Sequence, residues 1–418
     1  MEKFIIQGGV PLKGKIRVQG AKNSALPLMA GCLLTKGSSR LKNIPRLTDI
    51  TAMAEVLEKL GAEVKREDAV LEINTEKLSC HEAPYDLAKR LRASILILGP
   101  MLARFGYVRV PLPGGCNIGT RPVNLHLEGL KKLGAEIETK NGYIEAHAKK
   151  GLKGNNISLN LPSVGATENL LLAASLAKGI TLINNASCSP EVIDLINFLK
   201  KMGAKIERIG DKLIKVEGVK ELYPVIYSII PDRIEAGTFI IAGIITRGEV
   251  TIEGIRADHL KTPLAKLREM GVNIEVSDNE VKIKKENVWK PIKIKTLPYP
   301  GFPTDIQPQI TTLACLAQGV SVIVETIFKN RFTHISELRK MGADIERKKD
   351  VVLIKGASFL QGTSIVASDI RGGTALILAG LAAKGVTEVH NIYHIDRGHE
   401  RIEERLSKLG ANIFRMKE

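Results

Sequence analysis

The chain has 418 residues, more than one ordinary hydrophobic core accommodates, so two domains are expected. Its 44% apolar and 25% charged content is that of a globular protein, and no apolar run reaches the roughly 20 residues that span a bilayer. Lys and Arg outnumber Asp and Glu by 61 to 45, which favours anionic partners, and five scattered cysteines without Cys-x-x-Cys or Cys/His spacing argue against both a disulfide framework and a structural zinc site.

The N-terminus runs from Met1 into a Gly8-Gly9 turn without the apolar stretch of a signal peptide, so a cytoplasmic location is expected. Lys3–Ile6 reads as a first strand able to pair with either domain. From there the chain repeats one phrase six times: a Leu-rich helix end, a glycine, then an extended run. The glycines are Gly61, Gly134, Gly203, Gly271, Gly342 and Gly410, spaced 68 to 73 residues apart. Such a period means one supersecondary unit copied six times. A second glycine stands 23 to 28 residues before each, at Gly37, Gly106, Gly179, Gly248, Gly319 and Gly385.

The third copy defines the unit. Residues 157–161 alternate apolar and polar as a strand does, and the turn from Pro162 opens a helix, Glu168 to Lys178, apolar around most of its surface and hence buried. Gly179 is expected to end that helix as a C-cap. A second strand at Thr181, a second helix from Pro190 capped by Gly203, and a hairpin across Gly210-Asp211 complete a β-α-β-α-β-β module. Six modules fit an α/β protein of two domains with three modules each, built on mixed sheets, with the boundary between 224 and 232. Two segments then cross between domains, which suits hinge closure over a ligand.

Function is expected where the modules differ. At the turn from first strand to first helix they place Lys22, Arg92, Gly165, Arg233, Asp305 and Arg371. Helix N-termini attract anions, so four cations there strengthen the effect, although solvated rim charges would look the same. Asp305 is the sole acid of the set. Module two alone carries Leu112-Pro-Gly-Gly-Cys116-Asn-Ile-Gly-Thr-Arg121-Pro, a glycine-rich loop whose Cys116 has a guanidinium nearby to favour its thiolate. Arg397 lies 12 residues past Gly385, as Arg331 does past Gly319, which suggests an anion clamp from two copies. Neither a dinucleotide fingerprint nor a P-loop occurs, and His390, His394 and His399 lack an accompanying Cys or Glu, so no metal is expected.

These residues stand in specific motifs: Gly20-Ala-Lys22-Asn23-Ser, the Cys116 loop, Phe302-Pro-Thr-Asp305, Glu325-Thr-Ile-Phe and Ile392-Tyr-His-Ile-Asp-Arg397-Gly. Over essentially its whole length the chain resembles the UDP-N-acetylglucosamine enolpyruvyl transferase family of the EPSP synthase-like superfamily. The resemblance implies a two-domain inside-out α/β barrel, with one domain at 22–229 and the other formed by 1–21 and 230–418. It implies transfer of enolpyruvyl from phosphoenolpyruvate to the 3-hydroxyl of UDP-N-acetylglucosamine, the first committed step of peptidoglycan synthesis, by a monomer without metal or organic cofactor. No nucleic-acid or membrane partner is implied. By the same resemblance Lys22 and Arg397 contact the phosphate of phosphoenolpyruvate, with Arg121 and Asn23 nearby, and Arg331 and Arg371 complete the cationic lining. Arg92, the run Arg121, Pro122, Val123, Asn124 and Leu125, the turn Leu161, Pro162, Ser163 and Val164, Asp305 and Ile327 would bind the UDP-sugar. Cys116 matches the proton donor, Asp305 the carboxylate at the sugar hydroxyl, and Asp369 a second acid near the reacting carbon. Asn124 stands where the family commonly has Asp, and Gly372-Gly373 where an Ala-bearing stretch is usual.

Two alternatives remain at this point. A sister enzyme acting on shikimate 3-phosphate shares the fold and chemistry but has no need of the Cys116 loop. An RNA-end-processing protein of similar modules would suit the charge of +16 but should show a nucleotide-binding His or Lys motif and clustered aromatics.

Overall fold

A computed structural model describes residues 2–417 apart from 115–122 and 287, with the side chains of 88–90 also left aside. The chain divides into two compact units. One runs from Gly20 to Ile230, and the other joins the segment ending at Gln19 to the segment beginning at Pro231. No helix among the described residues is long and apolar enough to cross a membrane.

In each unit the most buried elements are helices. Lys22–Gly31, Leu98–Phe105 and Val164–Ala174 lie in the core of the Gly20–Ile230 unit. Arg233–Ile245, Gln307–Ala314 and Ile370–Ala382 do so in the other. Their sequences explain the placement: Ala, Leu, Ile, Gly and Thr occupy nearly every side, so no face is suited to water. Small residues set how closely such helices approach. At Gly99 an added Cβ would come within 2.4 Å of the Asn169 carbonyl on the neighbouring helix, so only glycine fits there. The second helices, such as Pro190–Lys201, are amphipathic and place their lysines at the surface end.

Among the described residues five of the six sheets are mixed, and that of the second module is antiparallel. The third module gives the order Lys205–Ile209, Leu213–Glu217, Ile180–Asn184, Asn156–Ser158, with only the last pair parallel. Three modules take a strand from a distance, two of them at the sheet edge and one inside the sheet. The first module's sheet is completed by Ile226–Ser228, parallel to Ser38–Lys42. The fourth module's sheet is completed by Lys13–Arg17, parallel to Glu249–Glu253. Glu2–Gln7, whose partner the sequence left open, inserts antiparallel between Val386–His390 and Asn412–Lys417. No sheet among the described residues closes on itself.

The six phrase glycines have one structural cause. Each N–H bonds back to the helix three residues earlier, as Gly203 to Lys200 at 3.0 Å, while the next residue bonds five back, as Ala204 to Leu199 at 2.9 Å. That is a Schellman motif, and it needs a left-handed residue; φ at these glycines runs from 86° to 105°. The second glycines have a different role from the one expected. The helix of the third module spans Val164–Ala174 rather than 168–178, because Ser163 caps its start by accepting the Ala166 N–H at 3.3 Å. Gly179 stands five residues past its end, immediately before Ile180–Asn184, and its carbonyl accepts the Gly218 N–H at 3.0 Å. Gly319 is used in the same way by Gly356. Only Gly106 is itself a left-handed helix cap.

Candidate active site

In the Gly20–Ile230 unit, Lys22 is the first residue of a buried helix and is only 6% exposed. Its Nζ lies 3.0 Å from Asp49 Oδ2, at the start of the amphipathic helix Thr48–Lys59. The pairing with a carboxylate holds this buried ammonium in one orientation. Asn23, half-buried, follows on the same first turn. No side chain caps this helix start.

Arg92, half-buried, opens the short 3-10 turn Arg92–Ile97. Its charge is felt by His126, which is buried on the helix Asn124–Lys132. Burial first, then Arg92, pushes that imidazole from 6.5 down to about 4. His126 Nδ1 lies 3.1 Å from the Asn169 amide nitrogen, and Asn169 also donates to the Ile95 carbonyl at 2.9 Å and accepts the Gly99 N–H at 2.7 Å. Val123 and Leu125 pack partly against the core, whereas Asn124 is exposed. Leu161 is 67% exposed, unusual for a leucine in a tight turn, and Pro162, Ser163 and Val164 carry the chain from it into the helix. Cys116, Arg121 and Pro122 lie outside the described residues.

The depressed His126 value has a pH consequence. The folded state refuses a proton that the unfolded chain accepts, so stability is fully present above about 6.5 and is lost as pH falls towards 4. The shift corresponds to an acid destabilisation on the order of 3 kcal/mol. His126→Gln should flatten the urea-unfolding free energy between pH 6.5 and 4; an unchanged slope would show that His126 is not the group responsible.

In the other unit the acid of the register set, Asp305, is held by two guanidinium groups. Arg331, 2% exposed, places Nη2 on Asp305 Oδ1 and donates Nε–H to the Thr304 carbonyl at 3.1 Å. Arg371 Nη2 reaches Asp305 Oδ2 at 3.4 Å. The sequence placed both arginines in an anion-binding lining; the structure turns both onto the acid. Arg371 is the second residue of the helix Ile370–Ala382, whose N-cap is Asp369. Asp369 Oδ1 accepts the N–H groups of Arg371 and Gly372 at 3.0 Å each, and Oδ2 accepts the Thr333 hydroxyl at 2.7 Å. Burial pushes this carboxyl up, but Arg331, the Gly372 N–H, Thr333 and His334 together outweigh it and hold it below the usual range. Burial pushes His334, fully enclosed beside it, downward. Arg397, half-buried, caps the short helix Tyr393–Asp396 and shares with Asp369 the electrostatic environment of His394, whose imidazole is lowered by burial and then by Arg397. Three arginines, Arg331, Arg371 and Arg397, belong to this part of the unit, and guanidinium groups suit an anionic ligand.

Ile327 is half-buried in a turn fastened by Glu325. Asp49, His126, Asn169, Thr333, His334 and Glu325 received no role from the sequence. Glu325 at least stood in a quoted motif; nothing in the spacing marked Asp49. Among the other cysteines, burial pushes the Cys32 and Cys315 thiols up to about 12, which makes them inert core residues. Among the described residues no three His, Cys, Asp or Glu side chains gather as metal ligands.

Comparison with known proteins follows the same lines. The family model described as EPSP synthase (3-phosphoshikimate 1-carboxyvinyltransferase) matches residues 6–406. UDP-N-acetylglucosamine 1-carboxyvinyltransferase 2 of Carboxydothermus hydrogenoformans is 50% identical over 418 residues, covering all of both chains. UDP-N-acetylglucosamine 1-carboxyvinyltransferase of Trichlorobacter lovleyi is 49% identical over 418 residues, again covering all of both. Among solved structures, the enolpyruvyl transferase NikO from Streptomyces tendae is similar with a TM-score of 0.91 and 25% identity over 99% of each chain. EPSP synthase from Acinetobacter baumannii shares the fold at a TM-score of 0.80 and 19% identity over the whole of both chains.

Proposed function

The chain belongs to the EPSP synthase family of enolpyruvyl transferases, and on that premise we propose that it transfers the enolpyruvyl group of phosphoenolpyruvate to the 3-hydroxyl of UDP-N-acetylglucosamine, releasing phosphate. The observation that carries the mechanism is Asp305, the one acid of the register set, oriented by two buried arginines. Relatives 49–50% identical over their full length bear the name of this activity, which favours it over transfer to shikimate 3-phosphate or an RNA-end activity. The reaction opens peptidoglycan synthesis and is placed in the cytoplasm. Each unit, with its three buried helices and three sheets, reads as one inside-out α/β barrel.

The chemistry is addition followed by elimination. Asp305 takes the proton of the sugar 3-hydroxyl as its oxygen attacks C2 of phosphoenolpyruvate, and Cys116 protonates C3, giving a phosphorylated ketal. A proton then leaves C3, the C2–O bond to phosphate breaks, and inorganic phosphate departs with the enolpyruvyl ether formed. Asp369, held below the usual carboxylate range, is suited to accept rather than to supply a proton near C3. Lys22 and Arg397 hold the phosphate, with Asn23 and Arg121 beside it, and neutralise charge as the ester bond breaks. Arg371 and Arg331 serve Asp305 and the positive field around the substrate carboxylate. Arg92, the run from Arg121 to Leu125, the turn from Leu161 to Val164, and Ile327 bind the UDP-sugar; the exposed Leu161 offers an apolar surface to it.

The test is direct. The purified chain, given phosphoenolpyruvate and UDP-N-acetylglucosamine together, should release phosphate and form the enolpyruvyl ether, and should do neither with either compound alone. Absence of release with the pair overturns the function. Release with shikimate 3-phosphate but not with the UDP-sugar overturns the acceptor.

A further inference from the structure

Glu325 is a buried carboxylate that the mechanism does not use. It is 2% exposed, at the end of the strand Val320–Val324, and takes no part in an ion pair among those found at the site. Instead it accepts four hydrogen bonds. Oε1 receives the Thr296 hydroxyl at 2.9 Å, the Ile327 N–H at 2.8 Å and the Phe328 N–H at 3.1 Å. Oε2 receives the Thr304 hydroxyl at 3.0 Å. The donors come from three separate stretches of chain: the end of Lys293–Lys295, the loop that carries Asp305, and the turn that leads to Arg331.

Thr304 is held from two sides. Its hydroxyl goes to Glu325, and its carbonyl accepts from Arg331 Nε at 3.1 Å. Arg331 then continues to the Asp305 carboxylate. Backbone bonds hold the flanks of the loop from Phe302 to Ile306, the Phe302 carbonyl accepting the Leu297 N–H at 3.1 Å and the Thr304 carbonyl the Gln307 N–H at 3.3 Å, and the Glu325 and Arg331 bonds add the side-chain ties at Thr304, next to Asp305. Burying a carboxylate is costly unless hydrogen bonds compensate it, and four donors at a loop junction are a large commitment for shape alone.

We propose that Glu325 is a positioning residue for UDP-sugar recognition, locking through Thr304 the backbone that presents Asp305 and, through its other oxygen, the turn that presents Ile327. The proposal rests on the role assigned above to Asp305. In this role Glu325 acts through its protein partners, fixing the distance between Asp305 and Ile327.

Two substitutions separate this from a general structural role. Glu325→Gln keeps an oxygen for Thr296, Ile327 and Phe328 but presents an NH₂ where Thr304 needs an acceptor. Thr304→Val removes the same bond from the other end and leaves the carboxylate in place. In the phosphate-release assay each variant should raise KM for UDP-N-acetylglucosamine about tenfold, with KM for phosphoenolpyruvate within about twofold, and the double variant should be no worse than the poorer single one. Thr304→Ser, which keeps the hydroxyl, should restore the wild-type KM. Unchanged KM in both single variants, additive losses in the double, or equal rises for both substrates would overturn the proposal. If the unaltered chain is itself inactive with the two substrates, the functional assignment fails instead, so the two failures are distinguishable.

Discussion

Asp305→Asn should lower kcat for phosphate release by about 10² to 10⁴, the range general-base help supplies. Asparagine keeps the size of the side chain, and its oxygen can still accept from Arg331. Its NH₂, however, meets the Arg371 guanidinium donor to donor, 3.4 Å from where the carboxylate oxygen stood. The cost should extend to stability, since Arg331 is 2% exposed and loses the charge that compensates it. Removing one partner of a buried pair costs about 3–5 kcal/mol, and because the Asp305 side chain is 25% exposed, a smaller loss, about 1–3 kcal/mol, is expected here. Steady-state kinetics with urea unfolding checks both. A variant retaining more than a tenth of kcat would remove Asp305 from the chemistry.

Lys22→Met should lower kcat/KM for phosphoenolpyruvate by about 10² to 10³, because a preorganised cation on the departing phosphate is lost. It also leaves the Asp49 carboxylate buried without its lysine, with a stability loss of up to about 3–5 kcal/mol. These effects can be pulled apart. Adding Asp49→Asn to Lys22→Met should restore most of the stability and none of the activity. Recovery of activity in the double variant would mean that Lys22 acts only by balancing Asp49 and never meets the substrate.

What the sequence made legible follows from what is local. The six Schellman glycines are visible because a left-handed residue is required at one fixed place after a helix, and glycine meets that requirement wherever it recurs. Asp305 and Arg371 were visible because the repeat supplies a register in which they can be compared. Residues joined only by the fold were not. Asp49 lies 27 residues from Lys22, and no local rule links them. Thr304 and Glu325 sat in quoted motifs, yet their bond spans 21 residues and becomes apparent only when strand and loop meet. The strand Ile226–Ser228 is three residues long, too short for alternation to register. The helix of the third module was placed late because its apolar surround begins after the Ser163 cap, which reads equally well as loop.

The strands taken from a distance impose an order on folding during synthesis. The Gly20–Ile230 unit can complete its first sheet as soon as residue 228 leaves the ribosome, while most of the other unit is still unmade. The other unit cannot do the same, because Glu2–Gln7 needs partners up to Lys417, which are made about 400 residues later. At roughly 5–20 residues per second, the apolar stretch around Phe4-Ile5-Ile6 waits tens of seconds for its neighbours. During that interval it is an unpaired apolar edge, and the seam closes only when residues 412–417 have been made. Truncations that remove Glu2–Gln7 or Asn412–Lys417 therefore act on this late step, in which two segments about 400 residues apart are joined.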